Sequence, residues 1–297
     1  MSHCHEHNHN NRSSGLLLVL FLTGLYMTAE FAGGFYANSL ALLADAGHML
    51  SDVGALALSY FAIWISTRPA SPEKTYGYFR TEILAAFING IALVGIALFI
   101  IYEAYTRIFA PPEVKAPTMI IIAVGGLIVN IIGAFLLHKD SKENLNIQGA
   151  FLHIIGDLLG SIGTIIAGVI ILRWHFYLAD PIISIIIALL ILYSSISLIN
   201  EAVHVLLEAA PSHINVEAIR ESLLEIPDVI DIHDLHVWSI SSNKIALSVH
   251  VVTEFIENQQ ILCSINNLLN DKFNIKHSTV QLEPEGFHDC GCPLNLY

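Results

Sequence analysis

The sequence predicts an α-helical membrane protein: a six-transmembrane-helix bundle followed by a C-terminal cytosolic α+β domain of order αββαβ. Three observations lead there. Of the 297 residues 54% are hydrophobic and only 13% charged, with mean hydropathy +0.62, the composition of a chain largely solvated by lipid. Six apolar stretches are each long enough to cross a hydrocarbon core about 30 Å thick. Past Pro211 the pattern changes to short amphipathic helices and alternating, β-branched runs.

Residues 1–14, MSHCHEHNHNNRSS, form a His-rich cytosolic tail. His3, Cys4 and His5 head a dense set of soft and borderline donors, a metal-binding composition. The N-terminus is polar and the first apolar run is of spanning length, so a cleavable signal peptide is not expected. The transmembrane domain takes residues 15–208, with spans near 15–37, 40–66, 81–109, 117–138, 147–173 and 180–206. The second and fifth spans are the least lipid-like. They hold Gly47, Ser51 and Gly54, and Gly149, Gly156, Gly160, Ser161 and Gly163, small residues that let helices pack closely in a bilayer. These two spans are therefore expected inside, against each other.

Loop charge sets the orientation. Arg12, Arg68, Lys74, Arg80, Lys139 and Lys142 fall on the side of the termini, against Arg107, Lys115 and Arg173 opposite. The bias places both termini in the cytoplasm. Pro111, Pro112 and Pro117 make the third-to-fourth connection a short stiff outer turn.

Residues 209–297 form the cytosolic domain. HINVEAIRESLLEIP reads as a helix ending at Pro227. VIDIHDLHVWSI and KIALSVHVVTE read as a hairpin across Ser241-Ser242-Asn243, 257–272 as a second helix and HSTVQLE as a third strand. Formal net charge is −13, and residues 208–297 hold thirteen Asp/Glu against four Lys/Arg. Such an acidic domain argues against nucleic acid and suits a cation-handling surface, although a solvated acidic face accounts for the count equally well. Cys4, Cys263, Cys290 and Cys292 lie outside the apolar runs and suggest no disulfide framework. There is no P-loop motif, so no nucleotide partner is expected.

The chemistry concentrates in two H-x-x-x-D motifs, His48 and Asp52 in LLADAGHMLSD, and His153 and Asp157 in QGAFLHIIGD. Residues four apart share one helical face, so each pair offers an imidazole nitrogen and a carboxylate oxygen. Two such faces together make a two-nitrogen, two-oxygen set suited to tetrahedral Zn²⁺ or Co²⁺ rather than Mg²⁺ or Ca²⁺. An Asp at the centre of a membrane helix costs about 2.5–3.5 kcal/mol on insertion scales, which makes such residues functional by default. Asp45, one turn before His48, is a partner for it or a packing residue. Glu30 and Asn130 rank as packing or water-path groups first and ligands second. Imidazole titrates near pKa 6.5 when unperturbed, so protons and Zn²⁺ can compete for the site. No hydrolytic or redox partner stands near it, and the chain is not expected to be an enzyme.

With these pieces in hand, the chain resembles the cation diffusion facilitator family, on its zinc-transporting branch. The resemblance runs over nearly the whole sequence, most specifically through NSLALLADAGHMLSD, YGYFRTEILAAFING, GAFLHIIGDLLGS, ADPIISIIIALLIL, HDLHVWS and HSTVQLE. It implies a homodimer of six-helix protomers in a lipid bilayer, with metallochaperone-like cytosolic domains. It also implies proton-coupled efflux of a divalent cation, Zn²⁺, from the cytoplasm by alternating access. Carried over by residue, the transport site is His48, Asp52, His153 and Asp157, and a histidine at 48 points to zinc. A second zinc site falls on His233, His250, His277 and Glu283, with Cys290 and Cys292 just beyond and the tail's His3, Cys4 and His5 on the same side. His236 would face away from His233 and, with Trp238, is assigned to packing or an interface. Arg80 and Glu208 correspond to a charge network joining membrane and cytosolic parts. The connection RPASPEKTYGYFR has no histidine, so no metal site is expected in it, and HKDSKENLN lacks a His-rich loop. The resemblance places the protein in the plasma or inner membrane, with an intracellular vesicle as the alternative. A zinc-permeable channel and a membrane-anchored metal sensor are the competing readings.

Overall fold

The computed structural model describes residues 10–66, 68, 71–138, 145–241, 244–254 and 259–286; parts of the first, second, fourth and fifth helices, including Asp52 and His153, are described by backbone alone. Among the described residues, eight helices and three strands appear in the order α1 (Asn10–Ala37), α2 (Leu40–Ser66), α3 (Arg80–Phe109), α4 (Ala116–His138), α5 (Leu145–Trp174), α6 (Ala179–Leu206), α7 (Val216–Leu224), β1 (Val229–Ser241), β2 (Lys244–Thr253), α8 (Gln259–Phe273) and β3 (His277–Glu283). They form two compact units, residues 1–57 with 88–198, and residues 58–87 with 199–297.

In the first unit α1 begins at Asn10, five residues before the expected start. Asn10–Ser14 contains no proline, and extending a formed helix adds a hydrogen bond per residue, so polar residues assigned to the tail continue the helix. Counting described side chains only, three segments have the length and apolarity to cross a membrane: Arg80–Phe109, Asp157–Trp174 and Ala179–Leu206. Helix α2 contributes to two apolar clusters. Ala41 and Leu42 pack with Met119 and Ala123 of α4 and Ala167 and Ile171 of α5. Leu40 and Ala44 pack with Leu93 and Ala97 of α3 and Ala188 and Ile191 of α6. Alanines alternate with larger aliphatic residues in both seams. On the outward faces, Leu98, Tyr102, Tyr105 and Phe109 of α3 and Ile182, Ile186, Leu189 and Tyr193 of α6 form exposed apolar stripes at helical spacing.

The start of α2 is held by residues far away in sequence. Asn38 takes the left-handed conformation (φ 55°), which asparagine tolerates, and turns α1 into α2. Ser39 Oγ accepts from the Leu42 amide at 3.3 Å, an N-cap arrangement. The next two amides, of Leu40 and Ala41, donate to the Asp180 carboxylate of α6 at 2.8 and 3.2 Å, and Ser39 Oγ donates to it at 2.6 Å. Arg107 of α3 donates to the Asn38 carbonyl at 2.9 Å and lies 3.8 Å from Asp180. Asp180 is fully buried. One carboxylate thus joins three helices.

In the second unit the αββαβ order holds. The Asn215 side chain caps α7 by accepting from the Ala218 amide at 3.2 Å, and α7 closes before Pro227. Strands β1 and β2 pair antiparallel, while β3, returning through α8, pairs parallel to β2 in a sheet of order β1-β2-β3. Ile219, Leu223, Leu247, Val249, Ile265 and Leu269 fill the core beneath it. Ser242 and Asn243 of the expected hairpin turn lie outside the described residues, but the strands end at Ser241 and begin at Lys244 as that turn requires.

Candidate metal centres

In the first unit, eight residues beyond the start of α2 place His48 two turns into the helix. Its Nε2 lies 3.3 Å from Oδ1 of Asp157 on α5. One residue from each H-x-x-x-D motif therefore meets across the α2–α5 contact, and Asp157 is buried. The other members of the motifs, Asp52 and His153, sit one turn away on their helices; their side chains lie outside the described residues.

Two further carboxylates stand close by. Asp45 is buried, and Gly160 of α5 admits it: a Cβ there would lie 3.1 Å from Asp45 Oδ1. Glu30 of α1 is fully buried. The Tyr26 hydroxyl lies 3.4 Å from Glu30 Oε1 and within hydrogen-bond reach of the Ile122 carbonyl. Tyr26 can lie against α4 because Gly126 has no side chain; a Cβ at that position would come within 2.7 Å of its ring. The sequence marked Glu30 only as a polar residue at depth. Its pairing with Tyr26 is signalled only by their i, i+4 spacing.

In the second unit, His233 of β1 and His250 of β2 are direct cross-strand partners, their ring centroids 5.2 Å apart. Glu283 closes the group from β3. Its Oε2 lies 3.2 Å from His233 Nε2 and its Oε1 2.8 Å from His250 Nδ1. Candidate ligand atoms from the three residues all fall within 4.8 Å of one another. Two imidazoles and a carboxylate are a donor set zinc accepts, and three protein ligands leave a position for a fourth. Gln281 Nε2 donates to Glu283 Oε1 at 2.8 Å and orients it, a role the sequence did not suggest.

His277, expected in this group, is elsewhere in the chain's own fold. Parallel pairing sets His277 opposite Ala246, whereas His250 faces Gln281, so His277 is four positions along the strand. Its ring instead meets Tyr76 edge-on at 5.9 Å. His236 also departs from expectation. A register shift lies between His233 and His236, with Asp234 in the left-handed conformation (φ 52°). Such a bulge re-aims side chains. Asp234 Oδ1 lies 2.8 Å from His236 Nε2, and its Oδ2 lies 3.8 Å from His250 Nε2. The signal was available: apolar positions run Ile230, Ile232, then Leu235, Val237, a slip of one in the alternation.

Arg80 Nη2 and Glu208 Oε1 pair at 2.7 Å, with both side chains substantially exposed. Such a pair contributes about 0–1 kcal/mol. His3, Cys4, His5, Cys290 and Cys292 lie outside the described residues.

Comparison with known families decides what this architecture belongs to. Residues 16–207 match the cation efflux transmembrane domain, and residues 211–285 match the cytoplasmic domain of cation efflux proteins. The chain belongs to the cation diffusion facilitator family. It is 46% identical to the cadmium, cobalt and zinc/H(+)-K(+) antiporter of Bacillus velezensis over 94% of this chain and 91% of that protein. It is 41% identical to the zinc transporter ZitB of Escherichia coli over 99% and 96% of the two chains. It is likewise 41% identical to the metal cation efflux system protein CzcD of Cupriavidus metallidurans, over 95% and 89%. Among solved structures, the metal-bound C-terminal domain of the CzcD transporter aligns with 24% of this chain and 99% of its own at 36% identity, with a TM-score of 0.22. As a facilitator-family member the protein is integral to the membrane, carries a cytoplasmic C-terminal domain and belongs among transporters rather than enzymes.

Proposed function

We propose that the protein exports Zn²⁺ from the cytoplasm in exchange for protons, through a transport site of His48, Asp52, His153 and Asp157. The observation that carries this reading is the 3.3 Å approach of His48 Nε2 to Asp157 Oδ1, which unites two motifs more than a hundred residues apart inside the helical unit. The names of the relatives support zinc as cargo, and one of them names H(+)-K(+) exchange.

The residues supply the coupling. Zn²⁺ binds neutral imidazole and ionised carboxylate, so a protonated ligand must lose its proton before the ion enters. The same His48–Asp157 pair that can hold the ion can share a proton without it. A site opening alternately to the two sides then takes Zn²⁺ inside and protons outside. Six spans with both termini in the cytoplasm agree with the loop charges, and six helices of 23–30 residues satisfy the length requirement. The relatives' bacterial sources favour the plasma membrane. His233, His250 and Glu283 would hold a further Zn²⁺ in the cytosolic domain of a homodimer, where the ion would cross-link strands β1, β2 and β3.

The test is zinc flux in proteoliposomes with and without an imposed pH gradient. Wild-type flux should follow the gradient and carry protons the other way, while Asp157→Ala should lose at least about ten-fold and elute as the same oligomer. A channel would pass Zn²⁺ without proton counterflow, and a sensor would pass none. Wild-type flux in Asp157→Ala overturns the site assignment.

A further inference from the structure

The second unit contains a cavity of about 570 Å³ lined by Arg68, Lys244, Lys276 and His277 over a floor that includes Phe79 and Ile240. The volume is that of a small-molecule site. Its charge is unusual for this chain. Lys and Arg number 13 against 26 Asp and Glu, yet three of the thirteen converge here and, among the described residues, the lining contains no carboxylate. The adjoining hollow of about 560 Å³ is different: Glu73 and Glu208 offset Lys74 and Arg80 in its lining.

Two of the three cations are held in place by aromatic faces. Lys244 Nζ stands 3.4 Å from the centroid of the Phe79 ring, and Arg68 lies 4.8 Å over Trp64. Cation–π contacts of this kind fix long side chains without neutralising them. Tyr76 holds the His277 ring edge-on at the same wall. An acidic protein gains no solubility by gathering its few cations round one hollow, and like charges brought together repel unless an anion lies between them.

We propose that this cavity is a binding site for a phosphate-bearing anion. Arg68 offers a planar fork that matches phosphate oxygens. Lys244 and Lys276 supply compact charges, and the Phe79–Ile240 floor accepts an apolar or aromatic portion of the ligand. Two sources share that chemistry: the headgroup of an anionic phospholipid, and a soluble phosphate. His277 thus belongs to the wall of an anion site within the chain, which accounts for its separation from His233, His250 and Glu283.

The test uses the full chain in phosphatidylcholine nanodiscs, read by binding rather than transport, so its result is independent of the zinc-export reading. In one arm inorganic phosphate is titrated calorimetrically. In the other, nanodiscs doped with phosphatidylglycerol are analysed by native mass spectrometry for lipid retained over phosphatidylcholine. Binding is expected in at least one arm, and the responding arm identifies the source. The double variant Lys244→Gln/Lys276→Gln should weaken it about ten-fold or more, while Lys115→Gln, outside the cavity, should leave it unchanged. No response in either arm overturns the proposal. So does binding that survives in the double variant, or that falls equally in the Lys115 control.

Discussion

Replacing Asp180 tests how the helix that carries His48 is held. The carboxylate accepts three hydrogen bonds, from Ser39 Oγ and the amides of Leu40 and Ala41, and faces Arg107 at 3.8 Å. Asp180→Ala removes these acceptors and leaves the helix-start amides of Leu40 and Ala41 buried without their partner, while Arg107 keeps the Asn38 carbonyl and Glu103. Hydrogen bonds to a charged group contribute about 1.5–3 kcal/mol each, but they are not additive. Breaking a buried ionic contact from one side costs about 3–5 kcal/mol, and that range is the expectation here. Asp180→Asn keeps one carbonyl acceptor and the shape, so roughly half of it, about 1.5–3 kcal/mol, should be lost. Ser39→Ala removes one hydroxyl and the cap on Leu42, worth about 1 kcal/mol.

The assay is the fraction of purified protein that keeps its native elution volume after heating in detergent across a temperature series. The expected order of midpoints is wild type, Ser39→Ala, Asp180→Asn, Asp180→Ala, from highest to lowest. Because His48 lies about 12 Å along α2 from this anchor at 1.5 Å per residue, Asp180→Ala should also depress zinc flux more than its folded fraction explains. An Asp180→Ala midpoint equal to wild type would refute the reasoning.

Two other outcomes follow from the metal centres. His48→Asp replaces an imidazole with a more permissive carboxylate and should raise Cd²⁺ flux relative to Zn²⁺; an unchanged ratio in a competition series would remove His48 from selectivity. In the cytosolic domain Glu283→Gln should lower tightly bound zinc per protomer, measured by metal analysis after chelator dialysis. His277→Ala should not, and a matching loss in His277→Ala would show that the ligand set is wider than the one built by His233, His250 and Glu283.

The long apolar helices were legible because their signal is composition over twenty or more residues, and α2 to α6 begin and end within two residues of the expected bounds. Strand β3 coincides with HSTVQLE for a similar reason: β-branched alternation bounded by polar turns. The H-x-x-x-D motifs carried their own geometry, since helix periodicity fixes which side chains share a face. What escaped depended on pairing between distant segments. The register of β2 against β3 decides that His277 faces Ala246, and no local pattern in either strand specifies it. Asp180 reads locally as an acidic residue in the first turn of α6; that it serves the amides of another helix, some 140 positions earlier, appears only when the two ends meet. The bulge at Asp234 was visible as a slipped alternation, but its consequence, a carboxylate shared between His236 and His250, required the third dimension.

The outward stripes of α3 and α6 change what unfolding means for this protein. Leu98, Tyr102, Tyr105 and Phe109, like Ile182, Ile186, Leu189 and Tyr193, face a solvent as apolar as themselves. Each helix keeps its backbone bonds in hydrocarbon whether or not its neighbours are docked, because an unpaired amide there costs several kcal/mol. The disordered reference state in a bilayer is therefore a set of separated helices, not a coil. Heat or mutation should scatter the bundle while far-ultraviolet dichroism barely moves, and the cooperative loss should appear in the near-ultraviolet signal of the aromatic residues. Secondary structure is supplied by the lipid; what the sequence must encode in addition is which helices recognise one another.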